Sequence, residues 1–429
     1  MFIQKITLIL DKIKIPVKSD VIKSTIMVSS TKLISSLLNL TFMIYSVNLL
    51  SKSENGHFQF YMGFIPVILA IAEFGLPSAI VKFISPHTSD ILKIGNILKS
   101  SLLIKILSLV IMLVMAVMAH LFTSESYMII TIIVFGAFFI SFISYFESIL
   151  VAFRDYKSLS FWNPANNLLR VVTLFIAGYY SSSPLSYLDI LAIFAFSPAF
   201  IFIIFFLLFD YKKLSWNATE DFSETTKELT RFNSWTLLAA IFAIISDKLE
   251  IFFINKYHPE ETIAVYGTAL QLFSGFVIIF STLNSLVYPK MSRIHDNLPE
   301  FRSFLVKSVF MGFGMALLLF PGFFLAEPIL NLLFAGKYTE SIPVFKILYP
   351  NYLLQIVFAP MGIALFALGQ PKILAVLALL RLIFGIALDN LLIPDFGAQG
   401  AATAFFLGQI VSWLILTGYF MSFFKNNQN

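Results

Sequence analysis

Apolar runs of about twenty or more residues follow one another along the whole chain, divided by short groups of Lys, Arg, Asp, Asn, Ser, Gly and Pro. About twenty residues at 1.5 Å rise carry a helix across the hydrocarbon core of a bilayer. The pattern predicts spans near 24–50, 57–84, 96–121, 126–152, 158–180, 187–210, 229–256, 262–290, 303–326, 342–368, 371–391 and 398–424. The widest polar interruption, Tyr211 to Arg231, falls between the sixth and seventh. It divides the chain into a basic lead-in at 1–23, a six-helix unit at 24–210, a connector at 211–228 and a second six-helix unit at 229–429.

The halves resemble each other at an offset of 208 to 211 residues. Leu168-Leu169-Arg170 recurs as Leu379-Leu380-Arg381, Gly56-His57-Phe58 sits like Ala264-Val265-Tyr266, and Asn39 falls on Asp247. Six spans per half is an even number, so both units enter from the same side, as parallel repeats with a cavity between them. The expected fold is an all-α polytopic membrane protein, about twelve transmembrane helices in two parallel six-helix bundles around a central cleft. Of 29 Lys and Arg, 20 lie on the side of the N-terminus, 3 (Lys52, Lys256, Lys337) on the other, and the rest within spans. That bias sets both termini in the cytoplasm, in an inner or plasma membrane.

Composition excludes the other classes. The chain is 58% apolar and 12% charged, with 49 Phe; a soluble domain would carry roughly 25% charged residues. A soluble enzyme and a nucleic-acid-binding module are therefore excluded despite the formal charge of +5. There is no cysteine, and the five histidines have no ligand spacing, so neither a metal nor a cofactor is expected. No phosphate-cradling loop or nucleophile elbow is present.

Chemistry lies inside the spans. In the first, Thr25, Ser29, Lys32, Ser36, Asn39 and Ser46 recur at steps of three, four and seven, on one helical face about 32 Å long. In the seventh, Asn233, Thr236, Ala240, Ala243, Asp247 and Glu250 follow the same spacing. Small residues alone would mean close helix packing. A charge facing lipid costs about 2.5–3.5 kcal/mol at the helix centre, so the two tracks point to a wet cleft. Arg170 and Arg381 lie near the midplane, and Lys105, Lys248, Glu73 and Glu147 are the other intramembrane charges considered. Two readings stay open for the arginines: cleft-lining groups, or helix fasteners paired with Glu73, Glu147 or backbone carbonyls. Lys105 is expected to snorkel to the cytoplasmic surface, and Asp247 is either functional or partly neutralised by Lys248.

The segments ENGHFQFYMGF and AEFGLPSAIVKF, then ISDKLEIFFINKY, AVYGTALQL, YPKMSRI, EPILNLLFAGKYTESIPVFKIL and PDFGAQGAATAFFLGQ occur in that order. In order and spacing the chain resembles polysaccharide-export flippases of the Wzx type, within the multidrug/oligosaccharidyl-lipid/polysaccharide transporter superfamily. The resemblance implies movement of a polyprenyl-diphosphate-linked glycan across the membrane through a cationic cleft, with a functional Asp in span seven, where this chain has Asp247. It also implies partners in surface-polysaccharide assembly, a polymerase and chain-length machinery. On that expectation Arg170, Arg381, Lys32, Asn39 and Lys248 are candidates to hold the diphosphate and sugars. Asp247, Glu250, Glu73 and Glu147 are candidates to carry a coupling proton or Na⁺.

A multidrug exporter of the same superfamily would favour an acidic, aromatic cavity over a midplane arginine pair. A lipid-linked peptidoglycan-precursor flippase would have more spans and several arginines near its start. A membrane-embedded polymerase or glycosyltransferase would need a large extracytoplasmic loop, and those predicted here have five to fifteen residues.

Overall fold

The computed structural model describes residues 19–87, 90–122, 126–208 and 222–426, and every regular element among them is helical. The lead-in at 1–18 and residues 209–221, most of the expected connector, lie outside the described residues. The first half comprises α1 (Ser19–Leu49), α2 (Lys52–Glu73), α3 (Leu76–Ile84), α4 (Ile91–Phe122), α5 (Tyr127–Ala152), α6 (Tyr156–Tyr180) and α7 (Tyr187–Leu208). The second comprises α8 (Phe222–Tyr257), α9 (Glu260–Gln271), α10 (Phe276–Arg293), α11 (Leu298–Leu319), α12 (Ala326–Phe334), α13 (Ser341–Ala367) and α14 (Pro371–Asn426). Among the described residues, nine segments are long and apolar enough to cross a membrane. This is a multi-pass membrane protein. Helices α6 and α8 are not among the nine.

Several elements depart from the simple run pattern. The second apolar run is broken: Phe74 (φ 48°) and Gly75 (φ 69°) are left-handed, and a proline at the start of α3 restarts the helix. The run at 262–290 is interrupted by a 3₁₀ turn at Leu272–Gly275. Helix continues where a loop at 392–397 was expected, until Gly397 (φ 52°, ψ −126°) breaks α14. Helix α8 begins at Phe222, inside the expected connector, and the short α12 has no counterpart in the pattern.

Packing groups the helices by half. One core joins Phe42, Phe58, Ile129, Leu174 and Leu191 from α1, α2, α5, α6 and α7. Another joins Ile251, Tyr266, Leu330, Leu348 and Ala401 from α8, α9, α12, α13 and α14. Small residues set the closest approaches. A Cβ on Gly136 would lie 2.9 Å from Ala195, and one on Gly312 would lie 2.6 Å from the Ile356 carbonyl. That carbonyl is the one Pro360 leaves without its helical donor.

Two of the contacts between the halves lie at opposite ends of the helices. Helices α2 and α9 cross so closely that a Cβ on Gly56 would fall 2.0 Å from the Glu260 carbonyl, and one on Gly267 2.8 Å from Gln59. At the other end the start of α8 leans on the first half. Leu229 is buried among Leu76, Ile80, Ile94 and Tyr145, and Thr226 hydrogen-bonds Ser100 at 2.8 Å. The far end of α8 packs along α14, with Leu249 over Gly385. One helix thus bridges both bodies.

Candidate functional site

The face shared by α8 and α14 carries an ion pair, Arg381 Nη2 to Asp247 Oδ1 at 2.7 Å. Its exposures decide its character: the Asp247 side chain is 53% exposed and that of Arg381 14%. The guanidinium also lies 5.1 Å from the centre of the Phe405 ring. The carboxylate is open, and an anion reaching the pair could displace it from the arginine. One helical turn further along α8 the environment dries. Glu250 is buried, as is Asp389 on α14, and the two interact electrostatically. Among the described residues, Glu250 Oε2 and both carboxyl oxygens of Asp389 have no hydrogen-bond partner. Tyr266 and Tyr352 lie within electrostatic reach of the same group, and Lys248 within reach of Asp247 and Glu250.

A second cluster lies in the first half, around the break in the second run. Glu73 ends α2 and hydrogen-bonds Ser144 of α5, with Lys105 of α4 near it. Lys105 does not snorkel. It is 1% exposed and donates to the carbonyls of Ala72 (2.9 Å) and Ser141 (3.1 Å). Ser108 also donates to Ala72. A helix end leaves carbonyls without donors, and these two side chains satisfy one at the α2 terminus. Glu147 is partly exposed and within electrostatic reach of Lys32, which is exposed on α1.

The polar face of α1 is open along only part of its length. Lys32, Ser36 and Asn39 are exposed or half-buried; Phe42 and Ser46 are fully buried, Ser46 donating to the Phe42 carbonyl. A track across the full bilayer depth is therefore corrected to its first part, because the core of the first half covers the rest. The side chains of Thr25, Ser29 and Thr236 lie outside the described ones.

The expected pair of wetted arginines is also corrected. Arg170 is 5% exposed, donates from Nη2 to the Phe194 carbonyl at 3.1 Å, and stacks on the Phe194 ring with Cζ 3.7 Å from its centre. Pro198 lies in the same helix, four residues on, and has no N–H for that carbonyl. Arg170 supplies the missing donor. Its partner is neither Glu73 nor Glu147, and it shares no site with Arg381.

A polar clasp joins the halves at the end where α2 meets α9. Lys337 donates to the carbonyls of Val47 (3.1 Å) and Leu50, the last turn of α1. Asn48 donates to the Leu333 carbonyl, Lys52 pairs with Glu340 at 2.6 Å, and buried Asn55 donates to Tyr338 and Thr268. Burial, and then Lys52 beside it, hold the Lys337 ammonium below its usual pKa. The cation sits there at a cost, which makes the clasp breakable. Sequence reasoning missed the clasp, for which Lys337 in the turn before α13 was the visible signal; the spacing sets Asp389 on the same face as Arg381 and Gly385 without assigning it to the site.

The fold is that of the multidrug/oligosaccharidyl-lipid/polysaccharide transporter superfamily. The chain superposes on an inward-facing multidrug transporter of that superfamily with a TM-score of 0.69 and 16% identity, over 92% of this chain and 96% of that one. It superposes on the lipid II flippase MurJ, in an inward closed conformation, with a TM-score of 0.67 and 14% identity, over 92% and 87%. Residues 21–295 match the family model described as polysaccharide biosynthesis protein, and the chain belongs to that family. A probable low-salt glycan biosynthesis flippase, Agl15 of Haloferax volcanii, is 22% identical over 51% of this chain and 47% of its own length. A protein of Shigella flexneri named as an O-antigen transporter is 25% identical over 45% and 46%. The chain thus spans about half the length of the curated relatives it matches.

Proposed function

We propose that this chain is a flippase, not an enzyme, carrying polyprenyl-diphosphate-linked oligosaccharide from the cytoplasmic to the outer leaflet for surface-polysaccharide assembly. The observation that carries the reading is the half-open Asp247–Arg381 pair on the α8–α14 face. A diphosphate bears about two negative charges, and a guanidinium offers it paired donors. Arrival of the diphosphate releases Asp247, so the exchange needs no unpaired buried charge. Lys248, Lys32 and Asn39 are the further groups assigned to headgroup and sugars. The twelve spans act as two six-helix bodies, 24–210 and 229–429, with both termini in the cytoplasm of the inner membrane. The body-to-body contact at α2 and α9 closes the outer end, and the clasp of Lys337 locks it. A polymerase and chain-length machinery would receive the product.

Direction has a physical source. Two negative charges moving out of an inside-negative cell gain about 4.6 kcal/mol per 100 mV. Coupling adds to it. Two buried carboxylates facing each other, Glu250 and Asp389, repel unless a proton or a monovalent cation sits between them. Asp247, Glu73 and Glu147 are the other coupling candidates. The multidrug-exporter reading is weaker because Glu250 and Asp389 are shut away from an organic cation and Asp247 is already occupied by Arg381.

The test is complementation. In a bacterial strain lacking its own glycan flippase, this chain should restore surface glycan and clear the lipid-linked intermediate from the cytoplasmic leaflet. Normal membrane levels with persistent accumulation, across strains making different glycans, would sink the proposal.

A further inference from the structure

Away from the charged face, α11, α13 and α14 enclose a groove of about 340 Å³ that no other described segment covers. Its lining is two-ended. Arg302, near the start of α11, and Lys425, near the end of α14, stand at one mouth. The walls below are apolar, including Val306 and Phe310 on α11 and Phe420 and Met421 on α14. Phe310 and Met421 are each 70% exposed. In a soluble protein such exposed apolar side chains would be an anomaly; in a membrane they face acyl chains. Arg302 lies 5.8 Å over the Phe424 ring, which carries the guanidinium to the groove mouth.

Dimensions narrow the occupant. From Arg302 to Phe310 the helix rises about 12 Å, close to the ~15 Å depth of one hydrocarbon leaflet. Two cations at one end of an apolar slot one leaflet deep match a single lipid, its phosphate at the cations and its chain along the wall. Lys290 and Arg293, in the last turn of α10, lie at the same end and raise the local potential. The acidic neighbour Glu300 is turned to the helix cap, its backbone N–H donating to Asn297 Oδ1 and its carboxylate 3.5 Å from the Asn297 amide.

We infer that this groove is a binding site for one anionic diacyl phospholipid of the leaflet at the basic end, separate from the Asp247–Arg381 site. The inference rests on the membrane embedding alone and survives if the flippase reading fails. Basic residues at a membrane surface attract anionic lipid by about 1 kcal/mol each. Removing two therefore predicts about 30-fold weaker retention, at about 1.4 kcal/mol per tenfold.

Native mass spectrometry of the purified chain from nanodiscs of mixed phosphatidylglycerol and phosphatidylcholine tests this. The wild type should retain one phosphatidylglycerol in preference to phosphatidylcholine. Arg302→Gln with Lys425→Gln should lose that preference, and Val306→Trp should reduce retention with both charges intact. Thermal unfolding of each variant controls for misfolding. Equal retention of the two lipids by the wild type, undiminished retention by the doubly substituted chain, or displacement of phosphatidylglycerol by polyprenyl phosphate would each overturn the assignment.

Discussion

Replacing Arg170 and Arg381 one at a time separates the two roles that two equivalent sequence positions have taken. Arg170→Ala removes a buried charged hydrogen bond, worth about 1.5–3 kcal/mol, and a cation–ring contact of about 0.5–2 kcal/mol. Release of the guanidinium from a dry site offsets part of this, so a net loss of about 2–4 kcal/mol is expected, in the range of large-to-small core changes. The cost should depend on Pro198, since alanine there returns an N–H to the Phe194 carbonyl. In a double-mutant cycle with Pro198→Ala the loss should shrink by about 1.5–3 kcal/mol. Arg381→Ala breaks a pair that is half in water, so about 1 kcal/mol or less should be lost, while export disappears. The readouts are thermal unfolding in one detergent and surface glycan per unit of membrane-inserted protein. If Arg170→Ala melts like the wild type yet abolishes export, or if its cost is the same in the wild-type and Pro198→Ala backgrounds, the assignment of Arg170 as a fastener is wrong.

Other consequences are equally direct. Lys337→Met removes the cap on the last turn of α1, so spin labels at Ser53 and Glu261 should show a larger population of long distances; an unchanged distribution would remove the clasp from the closing mechanism. Glu250→Gln and Asp389→Asn should each leave membrane insertion intact but make glycan export insensitive to collapse of the proton or Na⁺ gradient, and full gradient dependence in both variants would exclude this pair from coupling. Cysteines at Ser36 and Asn39 should react with a water-soluble thiol reagent in vesicles, whereas one at Ser46 should not; equal reactivity would contradict the boundary at Phe42. Gly56→Leu places side-chain atoms where the Glu260 backbone lies and should prevent closure, measured as loss of export with normal protein level; wild-type export would show that α2 and α9 need not touch.

Much of this architecture was legible because a long apolar run in lipid has one satisfactory conformation, the helix, which pairs all its backbone groups internally. The breaks were also written locally. Gly75 and the proline two residues later mark the split in the second run, and Gly397 marks the kink in α14, although a loop of six residues was expected there. Destinations of side chains were not legible. Asp247 and Arg381 are far apart in sequence, and their pairing depends on α8 lying along α14, which no periodicity encodes. The offset that aligned Arg170 with Arg381 described their common position in two related units, but it is Arg170 that donates to a carbonyl freed by a proline on the neighbouring helix, whereas Arg381 pairs with Asp247. Pro198 was a readable signal, since a proline inside an apolar helix implies that some donor reaches the residue four before it. Lys105 follows the same logic: a lysine within a span is drawn to the carbonyls left at the end of α2.

The central claim is that Arg381, exchanged away from Asp247, holds the diphosphate during crossing. Its most direct measurement is flipping of a fluorescent polyprenyl-diphosphate disaccharide in liposomes containing the purified chain, with a K⁺ diffusion potential imposed. Wild type and Arg170→Lys, each checked for folding, should be compared with Arg381→Gln. The account predicts wild-type transport out of the negative compartment, accelerated by the potential, and none above protein-free liposomes for Arg381→Gln. Flipping at the wild-type rate by Arg381→Gln would contradict it.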